Sequence, residues 1–475
     1  MLQSAMPRLL IAAPQGRSGK TTLTLGLCSA LHERGMQVQP FKKGPDYIDP
    51  SWLSEAAGRA CSSLDPFFAG SPQALRNSFA QGAVGADVCL IEGNHGLYDG
   101  GEDEKSASRE HEWSASSAEV ARILSCPVIL VVNTARMSRS IAALVSGYQN
   151  FEPETNIAAV ILNNVAQKRH ESKLRDAIET YCKIPVAGAI PRDEALTIPD
   201  RHLGLVPRVE QSPGATLPPA IAACQQVAEK HLDLELLLNI ARSAPPLSEQ
   251  LIPHLSIPAV KVRIGVLRDR AFSFYYPENL HALQIAGAEL VFIDAFQDRS
   301  LPALDGLVIG GGFPEIFMEE LSANTGLRTD IRAAIEAGLP VYAECGGLMY
   351  LCQRIRWAGR QADMVGIFPH EIEMLERPVG HGYVQIEVTG ENPFFPPGEW
   401  LRGHEYHHSR LVGPADPAGA YRLLRGSGFG NRQDGLVFRN VLASYTHLHA
   451  DGAAGWAAAL VLRAQEYQVK GGKGA

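Results

Sequence analysis

Apolar and polar positions alternate in blocks along the first half of the chain. Continuous apolar runs at 8–14 (RLLIAAP), 36–41 (MQVQPF), 86–93 (ADVCLIEG), 126–133 (CPVILVVN) and 157–165 (IAAVILNNV) predict buried strands. Between them, KTTLTLGLCSALHERG (20–35), SSAEVARILS (116–125) and SIAALVSGY (140–148) have helical spacing, and the first ends on a glycine suited to a helix cap. Strands that are apolar throughout and separated by helices predict a parallel sheet covered on both faces. The pattern breaks at 239–260, NIARSAPPLSEQLIPHLSIPAV, a Pro- and Ser-rich stretch without sustained periodicity that reads as a linker. Beyond it the alternation restarts, with strands at 262–269, 288–294, 306–312 and 339–347 and a helix at 277–287. Two α/β domains are therefore expected, 1–238 and 261–475, with VKGGKGA (469–475) as a disordered tail.

Bulk properties narrow the classes. The 475 residues suit two to four domains at roughly 100–200 residues each. A net charge of -8 gives no electrostatic footprint for nucleic acid. Eight cysteines without a C-x-x-C pair fit a reducing compartment better than a disulfide framework. No charged segment precedes the first apolar run, and no apolar stretch approaches the ~20 residues of a membrane span. A cytoplasmic protein with no nucleic-acid or membrane partner is expected.

Candidate chemistry lies at strand ends. PQGRSGKTT (14–22) departs from the Walker pattern, because Pro14 stands where the first glycine belongs. It still supplies a strand, a glycine turn, a helix start and a lysine, which are the physical parts of a phosphate loop. Lys20 would reach terminal phosphates and Thr21 would ligate Mg²⁺. Glu92, at the end of a strand, is a candidate for the acidic metal ligand that such an enzyme needs. FKKGPDYIDP (41–50) adds Asp46 and Asp49 flanking a turn, beside Lys42 and Lys43. These mixed charges suit phosphate and Mg²⁺ chemistry, or equally a solvated loop.

The second half offers a thiol. In LPVYAECGGLMYLCQRI (339–355) a strand runs into Cys345, two glycines follow and a helix begins, which is the logic of a nucleophile elbow with cysteine for serine. A helix N-terminus favours thiolate. Cys352 reads as an inert core thiol within that helix. Histidines able to act as a base cluster at GHEYHHS (403–409) and ASYTHLHA (443–450). A metal pair at His447 and His449 is the lesser reading, since no further ligand set stands near. The glycines of VIGGGFPEIF (308–317), with the N–H of Gly346, suit an oxyanion hole, or an ordinary tight turn.

In order along nearly the whole chain, APQGRSGKTTLTLGL, PFKKGPDYIDP, IEGNHGLYDG, CPVILVVN, RHLGLVP (201–207), AFSFYYPENL (271–280), GGGFPEIF, AECGGLMYL, GHEYHHS and SYTHLHA closely resemble the glutamine-dependent a,c-diamide synthases, whose type member acts on cobyrinate. The resemblance implies a P-loop NTPase-like parallel-sheet domain akin to dethiobiotin synthetase, followed by a class I glutamine amidotransferase domain of flavodoxin-like α/β fold. It implies that Cys345 attacks glutamine with help from His447, around a pocket formed by Gly311, Gly312, Gly346 and Glu315. A Glu two residues after the histidine is usual in class I amidotransferases; His449 stands there, which implies a Cys–His dyad. ATP would bind Gly16, Arg17, Ser18, Gly19, Lys20, Thr21 and Thr22, with Mg²⁺ on Thr21, Asp46 and Glu92. A tetrapyrrole bearing acetate side chains would meet Lys42, Asp46, Tyr47, Asp49, Tyr98 and Asp99. L-glutamine is the other expected substrate, and a homodimer the expected assembly.

Four departures from the family pattern stand out: Arg17 for an inner glycine, Asn133 where a strand end often has Asp, Trp52-Leu53 where a His is usual, and Gly93-Asn94-His95-Gly96. Relatives amidate Ni-sirohydrochlorin or siroheme, and FKKGPDYIDPSWL looks closer to the siroheme type. Cobyrinate is the default because it defines the family. A MinD/ParA-type switch ATPase is the alternative of another class. It would need a lysine at position 14 and would lack the cysteine domain.

Overall fold

The computed structural model describes residues 6–100, 115–192, 200–201, 204–205, 218–247, 262–413 and 417–471. The chain divides into two compact units, Met1–Pro253 and His254–Ala475. Most of RHLGLVP and the greater part of the 239–260 stretch lie outside the described residues.

In the first unit the apolar runs form one parallel sheet of seven strands. Its order is Ser62–Leu64, Val38–Lys43, Val88–Glu92, Arg8–Ala12, Val128–Asn133, Ile157–Val165, Val186–Pro191. The three central strands are buried along their length, apart from a half-buried Asn133, as expected of a sheet covered on both faces. Because all strands run the same way, Ala12, Lys43, Glu92 and Asn133 end at one edge, where the following turns gather.

The stretch read as a linker begins inside a helix. Leu234–Arg242 is helical and buries Leu234, Leu237, Leu238 and Ala241. Leu234, Leu237 and Leu238 meet Leu9, Leu27, Leu31, Val88 and Leu90 around a small apolar cavity. The helical spacing of those leucines carries on past Asn239 to Ala241.

Arg8 ties the first strand to its surroundings. Its guanidinium is fully buried and donates to four carbonyls: Leu124 at 2.7 Å, Met6 at 3.0 Å, Ser125 at 3.4 Å and Pro245 at 2.5 Å.

In the second unit a six-stranded sheet has the order Ala288–Ile293, Val262–Leu267, Gly306–Ile309, Val341–Glu344, Val441–Ser444, Leu436–Phe438, parallel except for the last strand. Alternation divides its side chains between two cores. Leu307, Ile309, Val341, Ala343, Val441 and Ala443 belong to one, and Val308, Tyr342 and Leu442 to the other. A five-stranded antiparallel sheet includes Trp400–His407 paired with His447–Leu448. A four-stranded sheet begins at Cys352–Trp357.

Two readings are corrected here. The helix after Cys345 stops at Leu351, so Cys352 opens a strand rather than sitting within the helix. Residues 469–471 close the helix Trp456–Gly471 rather than starting a tail.

Removing the Arg8 side chain strips donors from buried carbonyls and leaves a void. Arg8→Ala is expected to destabilise the first unit by about 2–4 kcal/mol, read as a lower first transition in a thermal melt. An unchanged melt would contradict the role of Arg8.

Candidate functional site

The first unit gathers its charged residues where the turns leave the sheet. The first strand ends at Ala12, and the chain passes through Gln15 to Gly19 into the helix Lys20–Glu33. Gly19 has φ 93° and ends the turn at the start of that helix. Arg17 also lies in the left-handed region, at φ 56°, with its side chain exposed. That conformation is what a glycine accepts at no cost, and it explains why an inner glycine suits this position. The Ser18 hydroxyl donates to the Gln15 carbonyl at 2.9 Å, and Asn163 donates to the Ser18 carbonyl at 2.9 Å. Gly16 lies within this turn, and Thr22 lies in the first turn of the helix.

Lys42 stands at the centre. Its Nζ lies 2.6 Å from Asp49, 2.8 Å from Glu92 and 3.7 Å from Asp46. Burial lowers its pKa, but Asp49, Glu92 and Asp46 outweigh that and hold it well above the usual range. The Thr21 hydroxyl donates to Glu92 at 2.7 Å and lies 3.4 Å from Asp49. Burial and the nearby Asp49 push Glu92 upward. Lys20 donates to the His95 carbonyl at 2.5 Å; burial and the neighbouring Lys42 lower its pKa to about 8.

Of the residues picked out for Mg²⁺, Thr21 and Glu92 are in contact, and Asp49 joins them more closely than Asp46 does. One Asp46 oxygen caps the helix Ile48–Ala57, accepting from Ile48 and Asp49 N–H at 2.8 and 3.1 Å. Burial and Asp49 raise Asp46 to about 7. Glu92 Oε2 is buried without a hydrogen-bond partner among the described residues. A hydroxyl and carboxylate oxygens with an unsatisfied lone pair fit a hard cation such as Mg²⁺ that keeps phosphate or water ligands. No group of three or more His, Cys, Asp or Glu side chains able to hold a metal occurs among the described residues, His447 and His449 included.

Tyr47, half-buried, precedes the helix that carries Asp49. Tyr98 donates to the Tyr148 carbonyl at 2.6 Å. Asp99 accepts from Gly96 N–H at 2.8 Å, and its charge reaches Lys20 and partly offsets the lowering of that lysine's pKa.

In the second unit Cys345 follows the strand Val341–Glu344 with φ 46° and ψ -101°. A non-glycine residue so placed stores about 1–3 kcal/mol of strain. Small neighbours allow it: a Cβ at Gly346 would lie 3.1 Å from the Gly312 nitrogen, so the turn and the Gly311–Gly312 strand are pressed together. Glu315 is buried nearby in sequence. The helix Gly346–Leu351 has only six residues and supplies little dipole. The nearer positive group is an imidazole.

That imidazole is His447, 2% exposed and packed on Gly311. Burial lowers its pKa, but hydrogen bonding to Cys345 and Glu344 outweighs this and raises it to about 10. His404 stacks on it at 4.9 Å between centroids, yet burial and the neighbouring His447 push His404 well below the usual range. Glu344, which sequence reasoning passed over, places Oε2 3.4 Å from His447 Nδ1. A carboxylate ending an apolar strand, directly before the cysteine, was the available signal. His449 turns to Glu278 and Asp451 instead, at 3.6 and 3.7 Å. Burial pushes the Cys28, Cys126 and Cys352 thiols up, as suits inert core cysteines.

No helix among the described residues is long and apolar enough to cross a membrane. Residues 9–206 match the CobQ/CobB/MinD/ParA nucleotide binding domain, and residues 263–455 match the CobB/CobQ-like glutamine amidotransferase domain. The fold is thus a P-loop-like domain followed by a glutamine amidotransferase domain. A cobyrinate a,c-diamide synthase of Magnetococcus marinus is 46% identical over 459 residues, 95% of this chain and 96% of that protein. Those of Methanosarcina barkeri and Dehalococcoides mccartyi are 40% and 42% identical, covering 98% and 93% of this chain and 97% and 95% of theirs. The chain belongs to the cobyrinate a,c-diamide synthase family and is a glutamine-dependent amide-forming ligase.

Proposed function

We propose that the chain amidates the a- and c-acetate side chains of cobyrinate, using ATP to activate each carboxylate and glutamine as the nitrogen source. The observation that carries this reading is the pairing, in one chain, of a thiol held against a raised histidine with a lysine–carboxylate cluster joined through Thr21 to a phosphate loop. A boundary between the helix Leu234–Arg242 and the strand Val262–Leu267 divides the two chemistries.

In the second domain the Cys345 thiolate attacks the side-chain carbonyl of glutamine. Backbone N–H groups at Gly346 and the Gly311–Gly312 turn face the developing oxyanion. The His447 imidazolium gives its proton to the leaving nitrogen, the C–N bond breaks and ammonia departs. Water, with His447 taking its proton, then cleaves the thioester to release glutamate and restore the thiol.

In the first domain Lys20 and the loop N–H groups bind the triphosphate, with Arg17 at the outer face of the loop. Lys42 supplies a buried cation where the carboxylate substrate and the terminal phosphate meet, balanced by Asp49 and Asp46 until they arrive. Thr21, Glu92 and Asp49 would hold Mg²⁺, which neutralises phosphate charge when bound. The substrate carboxylate takes the terminal phosphoryl group, and ammonia displaces phosphate to leave the amide. The cytoplasm, where ATP and glutamine are abundant, is the compartment that this reaction needs.

The test is direct. Cobyrinate and siroheme are offered separately with ATP, Mg²⁺ and glutamine, and products are read by mass. Conversion of cobyrinate to its diamide is expected; conversion of siroheme alone would overturn the substrate. Cys345→Ala is expected to lose glutaminase activity by ~10³-fold or more while ammonia still supports amidation. Retained glutaminase would sink the role of Cys345. Lys20→Ala is expected to abolish amidation with either nitrogen source, and ammonia-dependent amidation at the wild-type rate would refute its part.

A further inference from the structure

We infer that Glu344 is a positioning residue for the glutaminase step: it holds and charges His447 from the position directly before the nucleophile, so the dyad is completed by a carboxylate from the opposite side of the turn. This rests on the roles proposed above for Cys345 and His447.

The geometry is specific. Glu344 is 5% exposed and ends a strand paired in register with Val441–Ser444, Glu344 facing Ser444. Its Oε1 accepts two buried hydrogen bonds, from the Tyr342 hydroxyl at 2.9 Å and from the Leu448 N–H at 2.9 Å. Those bonds fix the carboxylate, and the second comes from the residue adjoining His447. Oε2 is thereby aimed at His447 Nδ1, 3.4 Å away. Nε2 is left for the cysteine side, the tautomeric arrangement that a cysteine–histidine pair requires.

A buried carboxylate with only backbone and tyrosine partners would be an expensive structural device. Facing an imidazole that must carry a proton between thiol and leaving nitrogen, it acquires a use. Its negative charge stabilises the imidazolium. Among the described residues, the Cys345 thiol and the stacked His404 also face His447, and the pKa of His404 lies well below the usual range. His404 therefore stays neutral and cannot replace Glu344 as the counter-charge. His449, at the position where related enzymes carry the acid, is engaged elsewhere.

The experiment compares Glu344→Gln and Glu344→Asp with the wild type, each checked for its thermal melt. Gln keeps an oxygen acceptor for Tyr342 and Leu448 but removes the charge. Glutaminase kcat is expected to fall by ~10–100-fold with KM for glutamine changed far less. Glu344 raises the His447 pKa, so its neutralisation lowers that pKa. The alkaline limb of the kcat/KM profile, where the imidazolium is lost, is expected to move to lower pH. A merely structural role would not move that limb. Asp keeps the charge and should retain the limb while losing part of kcat; it carries the test if Gln fails to fold. Either variant, folded, with wild-type kcat and pH profile would overturn the inference. Cys345→Ala separates the two levels. If it keeps glutaminase activity, the underlying reading fails. If it loses activity while Glu344→Gln behaves as wild type, only the role of Glu344 fails.

Discussion

Both halves of the chain depend on one constraint: an apolar parallel strand must end in a turn tight enough to begin a helix at once. The first does so between Ala12 and Lys20, with Arg17 and Gly19 at positive φ. The second does so at Cys345, at φ 46° with no glycine to relieve it. Such turns cost backbone strain and persist because the strands beneath them are packed on both faces. They also leave reactive side chains at the carboxyl edge of a sheet, where neighbouring strands deliver further ones. Glu92 and Lys42 arrive that way in the first unit; in the second, Glu344 ends the very strand that leads into Cys345, and His447 follows the neighbouring strand Val441–Ser444.

The two edges handle charge differently. In the first, a lysine ammonium sits between fixed carboxylates, an arrangement that holds anions and cations in place. In the second, an imidazole lies between a thiol and a carboxylate, which suits the movement of a proton. Two stacked histidines make the contrast plain. His447 is raised to about 10 and His404 lowered, although both are buried. Burial disfavours charge on each, and only His447 has Glu344 and Cys345 beside it to reverse the balance.

Much of this was legible in the chain because fully buried parallel strands write continuous apolar runs. Val88–Glu92 and Val128–Asn133 fall within the runs that predicted them. The glycine-flanked turns before Lys20 and around Cys345 were readable for the same reason. What escaped has physical causes too. Strands such as Gly380–Val388 and Trp400–His407 carry polar and histidine positions among the apolar ones, so they write no continuous apolar run, and Cys352 was misread because its helix ends after six residues. Asp46 and Asp49 could not be ranked by spacing, since which one caps a helix and which one faces Thr21 is a matter of side-chain direction. Glu344 went unremarked because acids in such sites were sought after the histidine. Its contact with His447, more than 100 residues away, arises from the pairing of its strand with Val441–Ser444, which no local pattern carries.

The central claim is that nitrogen released at Cys345 reaches carboxylates activated at Lys20 and Lys42. The most direct measurement incubates the protein with cobyrinate, ATP, Mg²⁺ and glutamine carrying ¹⁵N in its side-chain amide, and reads isotope in the product. The account expects both new amides to carry ¹⁵N, and none to form when ATP is left out. Amides without label, or labelled amides formed without ATP, would contradict it.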